Sequence, residues 1–301
     1  MKIDKQKPRA FFLVGALFLI FLLLTISFGY ETFRSTESLS LENQYTKHVA
    51  FVSTDRGSHY WQLIERSVRS EAVMNGIYLE SVGSMNVDID EALLALDRMI
   101  ATGVDGIIMQ GIAGEEANQL VFKAKEMGIP VVTVHSDMPL SQRHAFIGAN
   151  HFTEGEELGY KIEEQSKGEA FIGIITGSME LVDQQERLAG LQQVFADNER
   201  MHVVDIIEAT HTEFAATQAT YSLMRDNPQL TTLISLSELN GNGMIQGVQE
   251  SMNASQPAMY VFDYLEREEF TIKGEVPEQL GKAAMEELLL ILEGEKGVGL
   301  K

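Results

Sequence analysis

Eight residues are of types that can grip a hydroxyl-bearing molecule: Tyr60, Trp61, Gln110, His135, Ser136, Arg187, Ser237 and Asp263. Sugars present apolar C–H faces ringed by hydroxyls. An aromatic face covers the first, and amide, carboxylate, guanidinium and hydroxyl groups pair with the second. A pocket built this way rejects analogues that lack the hydroxyls, because its own buried polar groups would then go unpaired. Taken singly, the residues read more blandly. Tyr60 and Trp61 suit packing at a helix start, His135 a solvated loop, Arg187 a surface charge and Asp263 a helix cap. Their common place in the fold sets them apart.

Other chemistries lack the spacing they need. No GxGxxG follows the first strand pattern, and Gly111 and Gly114 form only a lone GxxG that suits a helix start. GxxxxGK[ST] and GxSxG are both missing. The seven histidines show no HxxxH or HxH spacing, and there is no cysteine, so zinc sites, disulfides and a cysteine nucleophile have no support. No catalytic residue, metal or cofactor is expected, and the chain does not read as an enzyme. With 44 acidic against 23 basic residues and a net charge of −21, it is also a poor partner for nucleic acid.

The elements that must hold the eight residues follow from periodicity. Short β-branched runs at 48–54, 77–83, 106–110, 130–134 and 145–149 alternate with helical patterns at 58–75, 88–102 and 114–127. The alternation resumes with a helix at 152–167. Strands at 171–177, 201–209, 231–236 and 258–262 then interleave with helices at 182–198, 213–226 and 240–253, and a last helix is expected at 277–293. Such alternation means parallel sheets covered on both faces. The fold class is α/β: two doubly wound parallel-sheet lobes joined by a hinge. The expected first lobe is 47–150 plus 264–301, and the second is 151–263. Ligands of such sheets sit beyond the carboxyl ends of the strands. All the chosen residues but Arg187, which lies in the helix after 171–177, sit at the carboxyl end of a strand or in the turn and helix start just beyond one.

The chain begins with a basic segment, 1–10, carrying four basic residues and one acid. Residues 10–30 carry no charge, and FFLVGALFLIFLLLTISF (11–28) is almost wholly apolar. As a helix, 10–30 spans roughly 31 Å, one bilayer core. It reads as a transmembrane anchor in preference to a cleaved signal, whose apolar region is shorter and ends at a small-x-small site. The basic flank stays cytoplasmic. Residues 31–46 read as a stalk, and everything beyond lies outside the cytoplasm.

From 48 to 274 the ordered series of strand ends resembles the sugar-binding periplasmic binding proteins, those for ribose and galactose, which share their fold with the core of LacI-type repressors. VAFVST…SHYWQLIERSVRSEA resembles the first strand and aromatic helix start, with Tyr60 and Trp61 at the stacking pair. VDGIIMQG brings Gln110, and GIPVVTVHSDMP matches the fourth strand with His135 where a sugar-binding Asp is usual. ERLAGLQQVF carries Arg187 at the ligand arginine, ISLSELNGNGMIQGV carries Ser237 and Glu238 at an Asn-Asp pair, and VFDYLE carries Asp263 at the sugar-binding Asp. One departure concerns the end of the chain. The family's strand carrying a ligand Gln, placed before a Pro-x-x-x-Gly helix, reads as deleted after 272–276, and its last strand as absent.

The resemblance implies a receptor outside the cytoplasm that closes on a small polar ligand, a sugar by expectation. An ABC permease or a sensor histidine kinase would read the closed form. The rival expectation is a ligand-free structural protein at the cell surface with a degenerate version of the fold.

Overall fold

The computed structural model describes residues 18–26, 45–209, 212–251, 256–263, 271–273 and 275–294, with Asp263 and 271–273 described through their backbone. Two compact units divide at Thr46 and Lys47. In the first, residues 18–26 form a helix, α1, whose side chains are exposed. Among the described residues no helix is long and apolar enough to cross a membrane. The remainder of the expected span, the basic segment 1–10 and all of the stalk except Tyr45 and Thr46 lie outside the described residues.

Among its described residues the second unit contains two five-stranded parallel sheets. The first is ordered β2-β1-β3-β4-β5. Its strands are β1 (Lys47–Val52), β2 (Ile77–Val82), β3 (Gly106–Gln110), β4 (Val131–Val134) and β5 (Ala145–Ile147). Alternate side chains of a strand point to opposite faces, and here both faces are apolar. Ala50, Val52, Ile107 and Met109 pack under α3 (Ile89–Thr102) and α4 (Glu115–Glu126). Val49, Phe51, Ile108 and Val132 pack under α2 (His59–Met74) and the last helix, α9 (Pro277–Leu292).

The second sheet is ordered β10-β9-β8-β6-β7. It comprises β6 (Ala170–Thr176), β7 (Met201–Glu208), β8 (Thr232–Ser235), β9 (Ala258–Asp263) and β10 (Thr271–Lys273). Ile172, Ile174 and Ile234 face α5 (His151–Gln165) and α6 (Val182–Ala196). Ile175, Leu233 and Val261 face α7 (Glu213–Asp226) and α8 (Glu238–Glu250).

Two expectations change at the end of the chain. A strand that the sequence reading did not give precedes the last helix: β10 pairs in parallel with β9, Thr271 opposite Val261. Residues 271–273 therefore belong to the second sheet, and the return to the first lobe follows Lys273. Three residues make a short strand, which a reading based on long apolar runs passes over. The α9 helix does dock on the first lobe. A Cβ at Gly281 would stand 2.3 Å from the Ile64 carbonyl oxygen, so only glycine permits this approach. The expected absence of a last strand concerns residues 295–301, outside the described residues.

The helix pair of the second lobe is set the same way. A Cβ on Gly155 would meet the Arg187 carbonyl oxygen at 2.2 Å, and one on Gly190 the Phe152 carbonyl oxygen at 2.1 Å. Small residues at both crossings bring α5 and α6 backbone to backbone and fix where Arg187 leaves its helix. Gly190→Ala is expected to cost about 1–3 kcal/mol by forcing the helices apart. Gly168→Ala, with nothing within 4 Å of the added carbon, should stay within about 0.5 kcal/mol of the parent. Urea unfolding midpoints read the difference, and equal midpoints for the two variants would contradict it.

Candidate functional site

The carboxyl ends of both sheets open on one cavity of about 830 Å³, counted out to its open side. From the first lobe come the turn after β1 (Thr54, Asp55, Ser58), the start of α2 (Tyr60, Trp61), and the ends of β3 and β4 (Gln110, His135). From the second lobe come Asp183, Gln184 and Arg187 on α6, with Ser237 and Glu238 at the start of α8. Glu275, two residues beyond β10, completes the wall where the chain crosses back.

His135 stands at the centre. Its φ is +66°, the only positive value at a non-glycine residue among those described. Such a conformation persists only where the surroundings enforce it. Here the His135 amide donates to the Ile147 carbonyl at 2.9 Å, and its own carbonyl meets His151 Nε2 at 2.9 Å. The ring lies against both aromatic residues, with centroids 5.0 Å from Tyr60 and 5.7 Å from Trp61. Nδ1 is 3.0 Å from the Tyr60 hydroxyl and 3.6 Å from Glu275 Oε2, and Nε2 is 3.7 Å from Asp183 Oδ2 across the cleft. Burial alone would lower the imidazole pKa, but the Asp183 and Glu275 carboxylates outweigh it and raise the value to about 9. Asp183 is buried, which disfavours its charge, yet His135 and Arg187 hold its pKa well below the ordinary carboxylate value. Burial, reinforced by the Glu275 charge, raises the Tyr60 phenol.

Arg187 is buried and almost fully engaged. Nε and Nη2 reach Glu154 Oε2 at 3.1 and 3.0 Å, Nη1 donates to the Leu236 carbonyl at 3.1 Å, and Asp183 Oδ2 is 3.5 Å from Nη1. The guanidinium lies over the Phe262 ring at 4.7 Å. Glu154 is brought down to about 2: its burial opposes ionisation, but His151 and Arg187 prevail. His151 bridges Glu154 and the His135 carbonyl, and its pKa is lowered by burial and by Arg187 against the pull of Glu154. Arg187 thus ties α5, α6 and the end of β8 together at the cleft floor.

Six of the eight residues singled out in the sequence line the cavity: Tyr60, Trp61, Gln110, His135, Arg187 and Ser237. Ser136 does not. It is buried, its hydroxyl has no hydrogen-bond partner among the described residues, and its carbonyl crowds Gly111, where a Cβ would stand 2.1 Å away. Asp263 ends β9 at the same sheet edge, and its side chain lies outside the described residues. Ser237 is the N-cap of α8, its hydroxyl 3.4 Å from the Asn240 amide.

Several residues escaped the sequence reading. Thr54 donates to Gln110 Oε1 at 2.7 Å, which leaves the Gln110 amide hydrogens for another acceptor. Gln184 accepts from Thr176 Oγ1 at 2.6 Å and from the Gly177 amide at 2.7 Å, with the same result. Asp183 resembles an ordinary first-turn acid, and its spacing of four from Arg187 was the available signal. Glu275 was hidden by the missed strand, although Pro277 and Gly281 preserve the Pro-x-x-x-Gly helix that follows it. Glu275 Oε2 is buried and makes no hydrogen bond among the described residues.

A periplasmic binding protein domain matches residues 49–296. The chain belongs to the periplasmic binding protein family. The D-ribose/D-allose-binding protein of Pseudomonas aeruginosa is 22% identical over 233 residues, 75% of this chain and 69% of that protein. GanP, a glucose-galactose binding protein from Geobacillus stearothermophilus, is similar in structure with a TM-score of 0.75 at 28% identity, covering 83% of this chain and 92% of its own. A chain of the XylFII–LytSN complex reaches 0.77 at 22% identity, covering 85% and 96%, and shares the fold.

The His135 contacts set a pH dependence. A folded pKa of about 9 against an ordinary 6.5 means that the ring's contribution is fully present below 6.5 and lost as pH rises through 9. The stability gap between the parent and His135→Asn should therefore shrink by roughly 3 kcal/mol between pH 6 and pH 10. Urea unfolding at both pH values measures it, and a gap independent of pH would contradict the charged ring.

Proposed function

We propose that the protein is an extracytoplasmic solute receptor that closes on a sugar between its two lobes. The observation that carries this reading is the joining, in one interlobe cavity, of the Tyr60–Trp61 aromatic pair with hydrogen-bonding groups from both lobes. An aromatic face suits the C–H face of a sugar ring, and the amide hydrogens of Gln110 and Gln184, without an acceptor among the described residues, suit its hydroxyls. The P. aeruginosa relative is a D-ribose/D-allose-binding protein, and GanP is a glucose-galactose binding protein; both names support a sugar here. Binding contacts that reach both lobes favour the closed form, and ligand shifts the population toward it.

The closed form is read by a second protein, an ABC permease or a sensor histidine kinase. A similar chain is found in complex with LytSN, which supports a protein partner for this one. The uncharged run at 10–30 supports retention at the membrane with the receptor outside. The rival reading, a ligand-free surface protein with a degenerate version of the fold, drew on the truncated end of the chain; β10, paired with β9, speaks against a degenerate second sheet.

Calorimetric titration of the full-length protein with glucose, galactose, ribose, xylose and arabinose tests the proposal. At least one sugar is expected to bind. Glu275→Ala should weaken it at least about tenfold, some 1.4 kcal/mol, and should also lower the unfolding midpoint, because it removes one of the two carboxylates that face the His135 ring. No heat with any of the five, nor with a disaccharide built from them, would overturn the sugar receptor.

A further inference from the structure

The cavity around His135 does not end at the lobes' inner walls. A second hollow of about 860 Å³, likewise counted to its open side, adjoins it. The two share Asp55, Ser58, Val87, Glu238 and Leu239, so they lie side by side along the cleft. His59, Met85 and Asn86 wall the outer part from the first lobe, and Glu213, Leu239 and Asn242 from the second.

The outer walls are built, not incidental. In the first lobe the loop after β2 is strapped to the loop after β1. The Arg56 amide donates to the Ser84 carbonyl at 2.8 Å, and the Asp88 amide to the Thr54 carbonyl at 3.0 Å. Gly83, at φ +115°, and Gly57 allow the contact: a Cβ on Gly83 would lie 2.0 Å from the Ser53 carbonyl oxygen, and one on Gly57 2.1 Å from that of Met85. In the second lobe Asn242 Nδ2 donates to Glu213 Oε1 at 3.1 Å and joins the starts of α7 and α8. Walls already fixed by their own hydrogen bonds need little ordering when a ligand arrives.

The chemistry of the outer hollow repeats that of the floor. Asn86 and Asn242 offer amides, His59 an imidazole and Glu213 a carboxylate, beside the exposed apolar side chains of Met85 (59%) and Leu239 (37%). This mixture suits hydroxyls flanking a C–H face, and among the described residues it carries no Lys or Arg for an anionic group. A single sugar ring on the Tyr60–Trp61 pair leaves the outer hollow to water.

We infer that the cleft is built for a ligand of two linked units, a disaccharide or a short glycoside. One ring sits at the His135 floor, and the second is held between Met85 and Asn86 of the first lobe and Leu239 and Asn242 of the second. This inference rests on the sugar-receptor reading and adds the size of its ligand.

Calorimetry on the full-length protein compares glucose, galactose and xylose with cellobiose, maltose, lactose and xylobiose. At least one disaccharide is expected to bind about tenfold or more tighter than either of its component sugars. Asn242→Ala and the double variant Met85→Ala/Asn86→Ala should each weaken that disaccharide about fivefold or more and change monosaccharide affinity less than about twofold. Monosaccharides binding as tightly as disaccharides, or a variant weakening both classes alike, would overturn the two-unit cleft and leave the receptor standing. No heat with either class would bring down both.

Discussion

The imidazole of His135 hangs from the end of a first-lobe strand and stands within 3.7 Å of the Asp183 carboxylate on a second-lobe helix. Neither group could keep its charge in this interior alone, because a buried ion without a partner costs several kcal/mol. Together with Glu275 they form a charged contact that requires both lobes and the crossing segment to be in place. The imidazole edge also carries the Tyr60 hydroxyl, so the aromatic pair is held by the same contact. Whatever enters the cleft meets a surface whose two halves are joined through one side chain.

The rest of the structure supplies the rigidity behind that contact. On the second lobe, Gly155 and Gly190 let α5 and α6 touch backbone to backbone, and Arg187 locks the crossing through Glu154 and the Leu236 carbonyl. On the first, Gly281 lets α9 settle on α2, so the chain's last helix braces the lobe from which Tyr60 and Trp61 project. His151, the first residue of α5, bonds the carbonyl of His135, so the first crossing between lobes is tied to the same residue. Cleft geometry is thus set by close backbone approaches and buried ion pairs, with few contributions from mobile surface groups.

Much of this was legible in the sequence because parallel strands buried on both faces leave short apolar runs between amphipathic helices. β3 and α7 fall on their expected limits, and most other elements lie within two residues of theirs. The strand-end rule then brought Tyr60, Trp61, Gln110, His135 and Ser237 to the cavity. It failed where burial cannot be read from residue type. Ser136 looks like a binding serine, but the backbone turns between it and His135, and the left-handed His135 takes the inward position. Asp183, Glu154 and His151 look like charges on helix surfaces, and only the folded neighbourhood makes them one buried network. Glu275 depended on a three-residue strand whose pairing is a long-range property.

The central claim is that the lobes close on a solute with His135 and Asp183 spanning the gap. The chain contains no cysteine, so Leu140→Cys and Phe214→Cys, both at exposed positions following strand carboxyl ends, can carry a single pair of spin labels. Pulsed EPR distances across the cleft, taken with and without a saturating sugar, measure closure directly. The account predicts that the sugar narrows the distribution toward its shortest distances, and that His135→Asn broadens it. An unchanged distribution under both conditions would contradict it.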